Sequence, residues 1–385
     1  SVTSYYLNMI VRQIVGYVFF NKKNLYRKRF RLTPKAFSLN IKVMSNSSLK
    51  SIAKKLSLSE STVSRALNDY KDISKSTKEL VNETVIKMGY QPNVSARRLA
   101  SGNPECLGFV IPWRDGQLND PFLGELMAGM SSALNKYGWD LTVLVAKDLE
   151  EEIQLFKKLS VSKNISGLVI SRTLRKDIRF KLLTDLKIPF VAHGRSDNCN
   201  QSAWLDIDNE AAFYDMTKHF VSLGHKKIAH IGGPPIYNFS IQRETGWRKC
   251  LFEACYSIPE EYLQIAELSF EGGMKAMDKL LNLNDPPTSV CCVSDTVAIG
   301  AMQSLRNNNL SPGKEVSLIG YDGLELGSWI DPPLSTMKQP LQSVGKDLAE
   351  TLMNLVNCEK KPAEFQKLYR ASLLRRGTDN PPLAD

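Results

Sequence analysis

LKSIAKKLSLSESTVSRALN, residues Leu49–Asn68, is the stretch from which the rest of the chain is read. Leu49, Ile52, Ala53 and Leu56 recur at i, i+3, i+4 and i+7, so they share one face of a two-turn helix. Ser57-Leu58-Ser59 interrupts the pattern. Ser59 suits an N-cap, because its hydroxyl accepts an orphan N–H of the following turn. The spacing predicts a second helix over Glu60–Leu67 with Val63, Ala66 and Leu67 inward. Two short helices joined by a three-residue turn form a helix-turn-helix. The outer face of the second carries Ser61, Thr62, Ser64 and Arg65, side chains that donate to phosphates and base edges. A plain helical hairpin in a core fits the same periodicity, so the flanks decide.

Downstream, Ser74 caps a predicted third helix, Lys75–Met88, with Leu80, Val81, Val85 and Met88 as its inner stripe. Gly89-Tyr90 ends it, and Pro92-Asn93 opens a short segment, Val94–Ala100, in which Arg97-Arg98 precede Leu99. Charge points the same way. Residues 1–43 carry nine Lys/Arg and no acid, and residues 44–103 carry ten against five. The chain's net +10 therefore leaves the remainder at −4. A basic end joined to a mildly acidic body is the electrostatic footprint of a polyanion binder.

From Cys106 the grammar changes to alternating β and α. Buried-strand runs such as LGFVIP (Leu107–Pro112), GLVIS (Gly167–Ser171) and PFVA (Pro189–Ala192) alternate with helical segments, and a second set follows from Asn209 to Gly320. Such alternation implies parallel sheets. Two sets predict two doubly wound subdomains with a ligand cleft where strand C-termini meet. The fold class expected is thus a small all-α head followed by α/β. Seven cysteines, an odd count without a CxxC pair or zinc spacing, are read as structural thiols in a reducing cytoplasm. No GxSxG, P-loop or HExxH motif marks a catalytic site, and no cofactor or metal is expected.

TVSRALN (Thr62–Asn68), GYQPN (Gly89–Asn93) and ARRLASG (Ala96–Gly102) together resemble the head and hinge of the lac repressor/galactose repressor family of bacterial transcription regulators. HFVSLGHKKIAHIGG (His219–Gly233), QRETGW (Gln242–Trp247), the SD-x-x-A-x-G-A run (Ser294–Ala301), GYDG (Gly320–Gly323) and PPLSTMKQP (Pro332–Pro340) resemble that family's effector domain. The resemblance covers almost everything after Met44. It implies a head over 44–90, a hinge over 91–103, an effector domain over 104–376 and a tail over 377–385. Subdomain one is expected at about 104–204 plus 314–340, and subdomain two at about 205–313 plus 341–376. Residues 1–43 read either as an upstream extension without a settled fold, Met44 being the natural start, or as a basic arm touching DNA or membrane.

The resemblance also implies roles. Ser59–Asn68 becomes the major-groove recognition helix, with Glu60 and Ser61 at the base-choosing positions and Arg65 one turn on. Glu60 either accepts from cytosine or only caps the helix. Thr62, Ser64 and Asn68 are expected on phosphates. Asn93 and Arg97 of the hinge join the DNA contacts, and Leu99 matches the family leucine that wedges into the minor groove. For the effector, the implied residues are Arg243 and Asp295, with Phe122, Arg172 and Arg195, and behind them His193 and Asp208. The function implied is a sugar-responsive transcription regulator, a cytoplasmic, nucleoid-associated homodimeric repressor on a pseudo-palindromic operator. A stand-alone sugar-binding protein and a sugar-processing enzyme are the competing classes. The sequence near the C-terminal end lacks an apolar heptad, which argues against a coiled-coil tetramer.

Overall fold

Two units are described by a computed structural model, over residues 48–67, 69–90, 104–112, 121–357 and 360–383. Asn68, Asn93, Arg97 and Leu99, like residues 1–47, lie outside that set.

The first unit holds α1 (Leu49–Leu56), α2 (Glu60–Leu67) and α3 (Lys75–Met88). Ser48 and Ser51 cap α1 reciprocally, and Ser57 leaves the helix in the left-handed region at φ 54. The Thr62 N–H donates to Ser59 Oγ at 3.0 Å, so Ser59 is the cap its sequence position suggests. Ile52, Ala53, Val63, Ala66 and Val81 form the buried centre. One expectation fails: Leu80 is 50% exposed, whereas Thr84 is buried. The inner stripe of α3 runs through Val81, Thr84, Val85 and Met88, which rotates Leu80 off the core face.

The second unit is built on two six-stranded sheets. The first comprises β1 (Cys106–Pro112), β2 (Asp140–Ala146), β3 (Gly167–Ile170), β4 (Phe190–His193), β5 (Ala203–Ile207) and β11 (Gln366–Tyr369). Its order is β11-β5-β4-β3-β1-β2, every pair parallel. The second comprises β6 (Ile228–Gly232), β7 (Leu263–Ile265), β8 (Ser289–Cys292), β9 (Ser317–Asp322), β10 (Ser335–Lys338) and β12 (Ser372–Leu374). Its order is β12-β10-β9-β8-β6-β7, with β12 alone antiparallel. Central strands such as β3 and β8 are buried along their whole length, as parallel strands covered on both faces must be.

Helices α4 (Pro121–Tyr137), α5 (Leu149–Ser162), α6 (Ile178–Asp185) and α11 (Leu341–Val356) cover the first sheet. Helices α7 (Asn209–Ser222), α8 (Asn238–Glu253), α9 (Phe270–Leu281) and α10 (Asp295–Asn307) cover the second. α4 and α11 approach so closely that a Cβ on Gly129 or Gly345 would collide with the other helix's backbone.

The strand orders correct the expected partition. Residues 314–340 supply β9 and β10 to the second sheet, while 341–369 return α11 and β11 to the first. The chain therefore passes between lobes three times, near residues 208, 340 and 371. The expected tail is also part of the fold. The Thr378 hydroxyl donates to the Leu318 carbonyl at 2.7 Å, and the Leu318 N–H to the Thr378 carbonyl at 2.8 Å. Asp379 is buried and accepts from His219, Arg375 and Ser335. His225 bonds the Asn380 carbonyl, fastening residues 378–380 to the second lobe.

Candidate ligand cleft and DNA-reading helix

A cavity of about 720 Å³ lies where the C-terminal ends of the two sheets meet. That is the crevice in which open α/β sheets bind ligands.

Arg243 enters from the second turn of α8 and is almost wholly buried. Its Nε donates to Asn209 Oδ1 at 2.9 Å and its Nη1 to the Val293 carbonyl at 2.6 Å. The guanidinium lies 3.9 Å from the Tyr321 ring centroid and 4.6 Å from that of Phe239. Asn209 also accepts from the Tyr321 hydroxyl at 3.2 Å and donates to the Gln242 side chain at 3.1 Å. Arg243 is thus a cation pinned between aromatic faces by neutral acceptors. It has no carboxylate partner among the described hydrogen bonds, and its charge remains available to the cavity it lines.

Asp322, the last residue of β9, lines the same cavity and accepts from Gln339 Nε2 at 2.6 Å. It holds φ at 124°, a conformation costly for a residue with a side chain. On the first lobe, the Arg195 Nε donates to Asp206 Oδ2 at 2.9 Å, with the guanidinium 5.7 Å from the Trp204 ring. Burial pushes the Asp206 carboxyl up, against the pull of Arg195. Arg172 lines the cavity from the end of β3, in the left-handed region at φ 52. Behind it, buried Arg179 donates to the Ser171 and Arg172 carbonyls and pairs with Asp177 and Glu152 at 2.7 and 2.9 Å. Phe122, in the first turn of α4, sits 5.5 Å from the His193 ring. The lobes touch at the cavity's edge, where the Asn238 N–H donates to the Thr173 carbonyl at 3.0 Å and its Nδ2 to the Arg195 carbonyl at 2.9 Å.

Phe122, Arg172, Arg195, Arg243 and His193 are thus brought together as expected. Asp295 and Asp208 are not. Asp295 is buried in the wall, where its Oδ2 accepts the N–H groups of Gly323 at 2.9 Å and Leu324 at 2.7 Å. It shapes the turn after Asp322 and does not line the cavity. Burial raises its carboxyl to about 6, in spite of the Thr336 hydroxyl and the two backbone donors. Asp208 caps α7, accepting from the Ala211 N–H at 3.1 Å. Asp322, Gln339, Asn209, Gln242, Phe239 and Asp206 line the cavity without having been singled out. The signal for Asp322 was present, since it sits in GYDG at a strand's C-terminal end.

In the head, Glu60 and Ser61 are exposed in the first turn of α2, and Ser59 and Thr62 bond each other's hydroxyls at 2.8 Å. Arg65 is half-exposed. Its guanidinium pairs with Asp72 at 2.6 Å and lies 5.2 Å from the Tyr70 ring, so it is held within the head.

A helix-turn-helix unit and a two-lobed body with a polar, aromatic cavity between its sheets define a DNA-binding regulator that senses a small molecule. Residues 105–369 match the model described as "Periplasmic binding proteins and sugar binding domain of LacI family", and residues 48–93 match "Bacterial regulatory proteins, lacI family". The chain is similar to the HTH-type transcriptional regulator AglR of Rhizobium meliloti (strain 1021), 34% identical over 86% of this chain and 94% of that protein. It is also similar to the HTH-type transcriptional regulator RafR of Escherichia coli, at 33% over 80% and 92%. Among solved structures, the lac repressor dimer bound to operator and the anti-inducer ONPF shares the fold, with a TM-score of 0.76, 24% identity and coverage of 87% and 99%. The chain belongs to the lac repressor family of bacterial transcription regulators. It is a DNA-binding transcriptional regulator whose body is an effector domain of the sugar-binding kind. Among the described residues no helix is long and apolar enough to cross a membrane.

Proposed function

We infer that a homodimer of this chain represses transcription in the cytoplasm and that a neutral sugar in the cavity sets its operator affinity. The observation carrying this is the pairing of a stacked Arg243 with the Asp322–Gln339 pair around one cavity. Adjacent sugar hydroxyls take a forked donor and a carboxylate together, while the ring's C–H face takes an aromatic such as Phe239 or Phe122. On the DNA side, Glu60, Ser61 and Arg65 read bases, Thr62, Ser64 and Asn68 hold phosphates, and Ser59 joins the DNA contacts. Asn93 and Arg97 contact the operator from the hinge, and Leu99 opens the minor groove. Sugar and operator act on one conformational equilibrium, so each changes the other's affinity reciprocally.

The test is an operator titration of the full chain with and without sugars drawn from a panel of neutral glucosides and galactosides. One sugar is expected to shift wild-type affinity. R243A or D322A should erase that shift and leave ligand-free operator affinity unchanged, because a ligand moves an equilibrium only by its differential affinity for the two states. A shift that survives both substitutions would locate the effector elsewhere.

A further inference from the structure

The two lobes are tied at the rim of the cavity by backbone as well as side chains. Leu174 of the first lobe and Tyr237 of the second form an antiparallel β-bridge, one rung that belongs to neither sheet. Beside it, the Asn238 N–H donates to the Thr173 carbonyl. The Arg195 carbonyl takes one donor from each lobe, the Thr173 hydroxyl at 2.7 Å and Asn238 Nδ2 at 2.9 Å. The first rim is held rigid from below. The Leu174 N–H donates to Asp177 Oδ2 at 3.0 Å, and buried Arg179, which pairs with that carboxylate, also holds the Ser171 and Arg172 carbonyls. This fastening sustains the left-handed backbone at Arg172. A buried ion pair is weak evidence for stability; here it fixes the shape of a loop. The second rim leads into the cavity. Tyr237, 3% exposed, stacks on Phe239 at 5.3 Å with the planes 10° apart, and Phe239 faces the Arg243 guanidinium.

We propose that residues 173–174 and 237–238 form a latch between the lobes, and that its opening sets how fast the cavity exchanges its ligand. The latch rests on the bonds just described; the exchange rate rests on the reading that a sugar occupies the cavity. Thr173, Arg195 and Phe239 line the cavity, and each belongs to the latch or stacks directly on it. A ligand that touches both lobes leaves only when they part, and they cannot part at this rim while the rung holds. The rung is short enough to open. One hydrogen bond is worth about two- to tenfold in an equilibrium, so a handful of them gives a latch that opens locally without unfolding either lobe. A ligand packed on Phe239 braces the ring on which Tyr237 stacks, so occupancy and closure favour each other.

The experiment uses the full-length chain as wild type, as N238D, and as L174C/Y237C in a C255S background that removes an exposed thiol. Aspartate suits the first residue of α8, but it turns the donor facing the Arg195 carbonyl into an acceptor. Without sugar, hydrogen exchange read by mass spectrometry should run about five- to tenfold faster in N238D over 172–177 and 234–240 together, with β3 and β6 unchanged. Acceleration in one segment alone, in neither, or throughout both lobes would overturn the latch. Antiparallel bridge partners stand about 4.5–5.5 Å apart at Cα, within disulfide reach, so the two introduced thiols should couple on oxidation. A folded double variant that fails to couple would also overturn it; should that variant not fold, N238D decides. Radiolabelled maltose, cellobiose, melibiose and sucrose are the ligand probes. A sugar that binds wild type should leave N238D about five- to tenfold faster. Loaded before oxidation, it should stay in the cross-linked protein roughly tenfold longer or more than after reduction. Equal release from the oxidised and reduced forms overturns the gating. If none of the four binds wild type, the sugar reading falls, and hydrogen exchange and thiol coupling alone decide the latch.

Discussion

Asp295→Asn should stabilise the protein at neutral pH, although it alters a buried residue at the start of a helix beside the cavity. The carboxylate's work is to accept two backbone N–H groups, from Gly323 and Leu324, through Oδ2. An asparagine oxygen does the same without a charge, while its amide nitrogen takes the place of Oδ1, which has no partner among the described residues, and offsets part of the gain at ~1–3 kcal/mol. The charge is expensive there, because burial raises the carboxyl to about 6 from its ordinary 3.8. Below pH 3.8 both folded and unfolded chains hold the proton. Between 3.8 and 6 the unfolded chain releases it while the folded one keeps it, so this residue's contribution falls as pH rises and stays low above 6. A gap of about two pKa units at ~1.4 kcal/mol each sets the loss near 3 kcal/mol. D295N should therefore exceed wild type by up to about 3 kcal/mol at pH 8, with the difference closing as pH falls through 6 towards 4. D295A removes the acceptor as well and leaves two buried N–H groups unmet, at ~1–3 kcal/mol each. It should lie roughly 2–6 kcal/mol below D295N at every pH. Urea unfolding followed by tryptophan fluorescence between pH 4.5 and 8 measures all three proteins. D295A as stable as D295N would refute the reasoning. So would normal stability in both variants with sugar binding lost, which would return Asp295 to the ligand.

Three further outcomes follow from ion pairs. D72A frees Arg65 from an exposed pair and removes an acid beside the helix proposed to read DNA, so operator binding should tighten about two- to fivefold. R65A should weaken it by ~1–3 kcal/mol and relax base preference at one position per half-site, read by fluorescence anisotropy on operator and scrambled DNA. R179M leaves Asp177 and Glu152 buried without their cation and should cost about 3–5 kcal/mol in chemical unfolding; a loss under 1 kcal/mol would mean that water reaches the pair.

The head was legible because its rules are local. Cap, periodicity and turn sit within twenty residues, and Leu80 was misplaced only because an apolar side chain lay one position from the true stripe. In the body, apolar runs between helical segments marked β1, β3, β4 and β8. The crossings near 340 and 371 were not legible. Lys338–Leu341 and Tyr369–Ser372 read as ordinary short loops, and whether a loop returns to its own sheet or crosses to another is settled by strand pairing at long range. The site followed the same division. Arg243 announced itself in QRETGW, but Asp295 and Asp322 are both carboxylates at strand ends in recognisable motifs. Only the turn at Gly323 and Leu324 shows which one faces the cavity and which one holds the wall.

The three crossings also govern how the protein is made. The first sheet waits for α11 and β11, and the second for β12 and the clamp at 378–380, so each lobe is completed by chain synthesised after most of the other. At ~5–20 residues per second the ribosome exposes the β1–β5 half-sheet for roughly 7–30 s before its covering segments emerge. Val169 and Val191 share a cluster with Leu348 and Leu352 of α11, so that face is completed only once α11 arrives, and this interval is a window for chaperone engagement and for aggregation on overexpression. Expressing one lobe as a contiguous fragment should give insoluble material, because no cut in the chain separates two finished sheets.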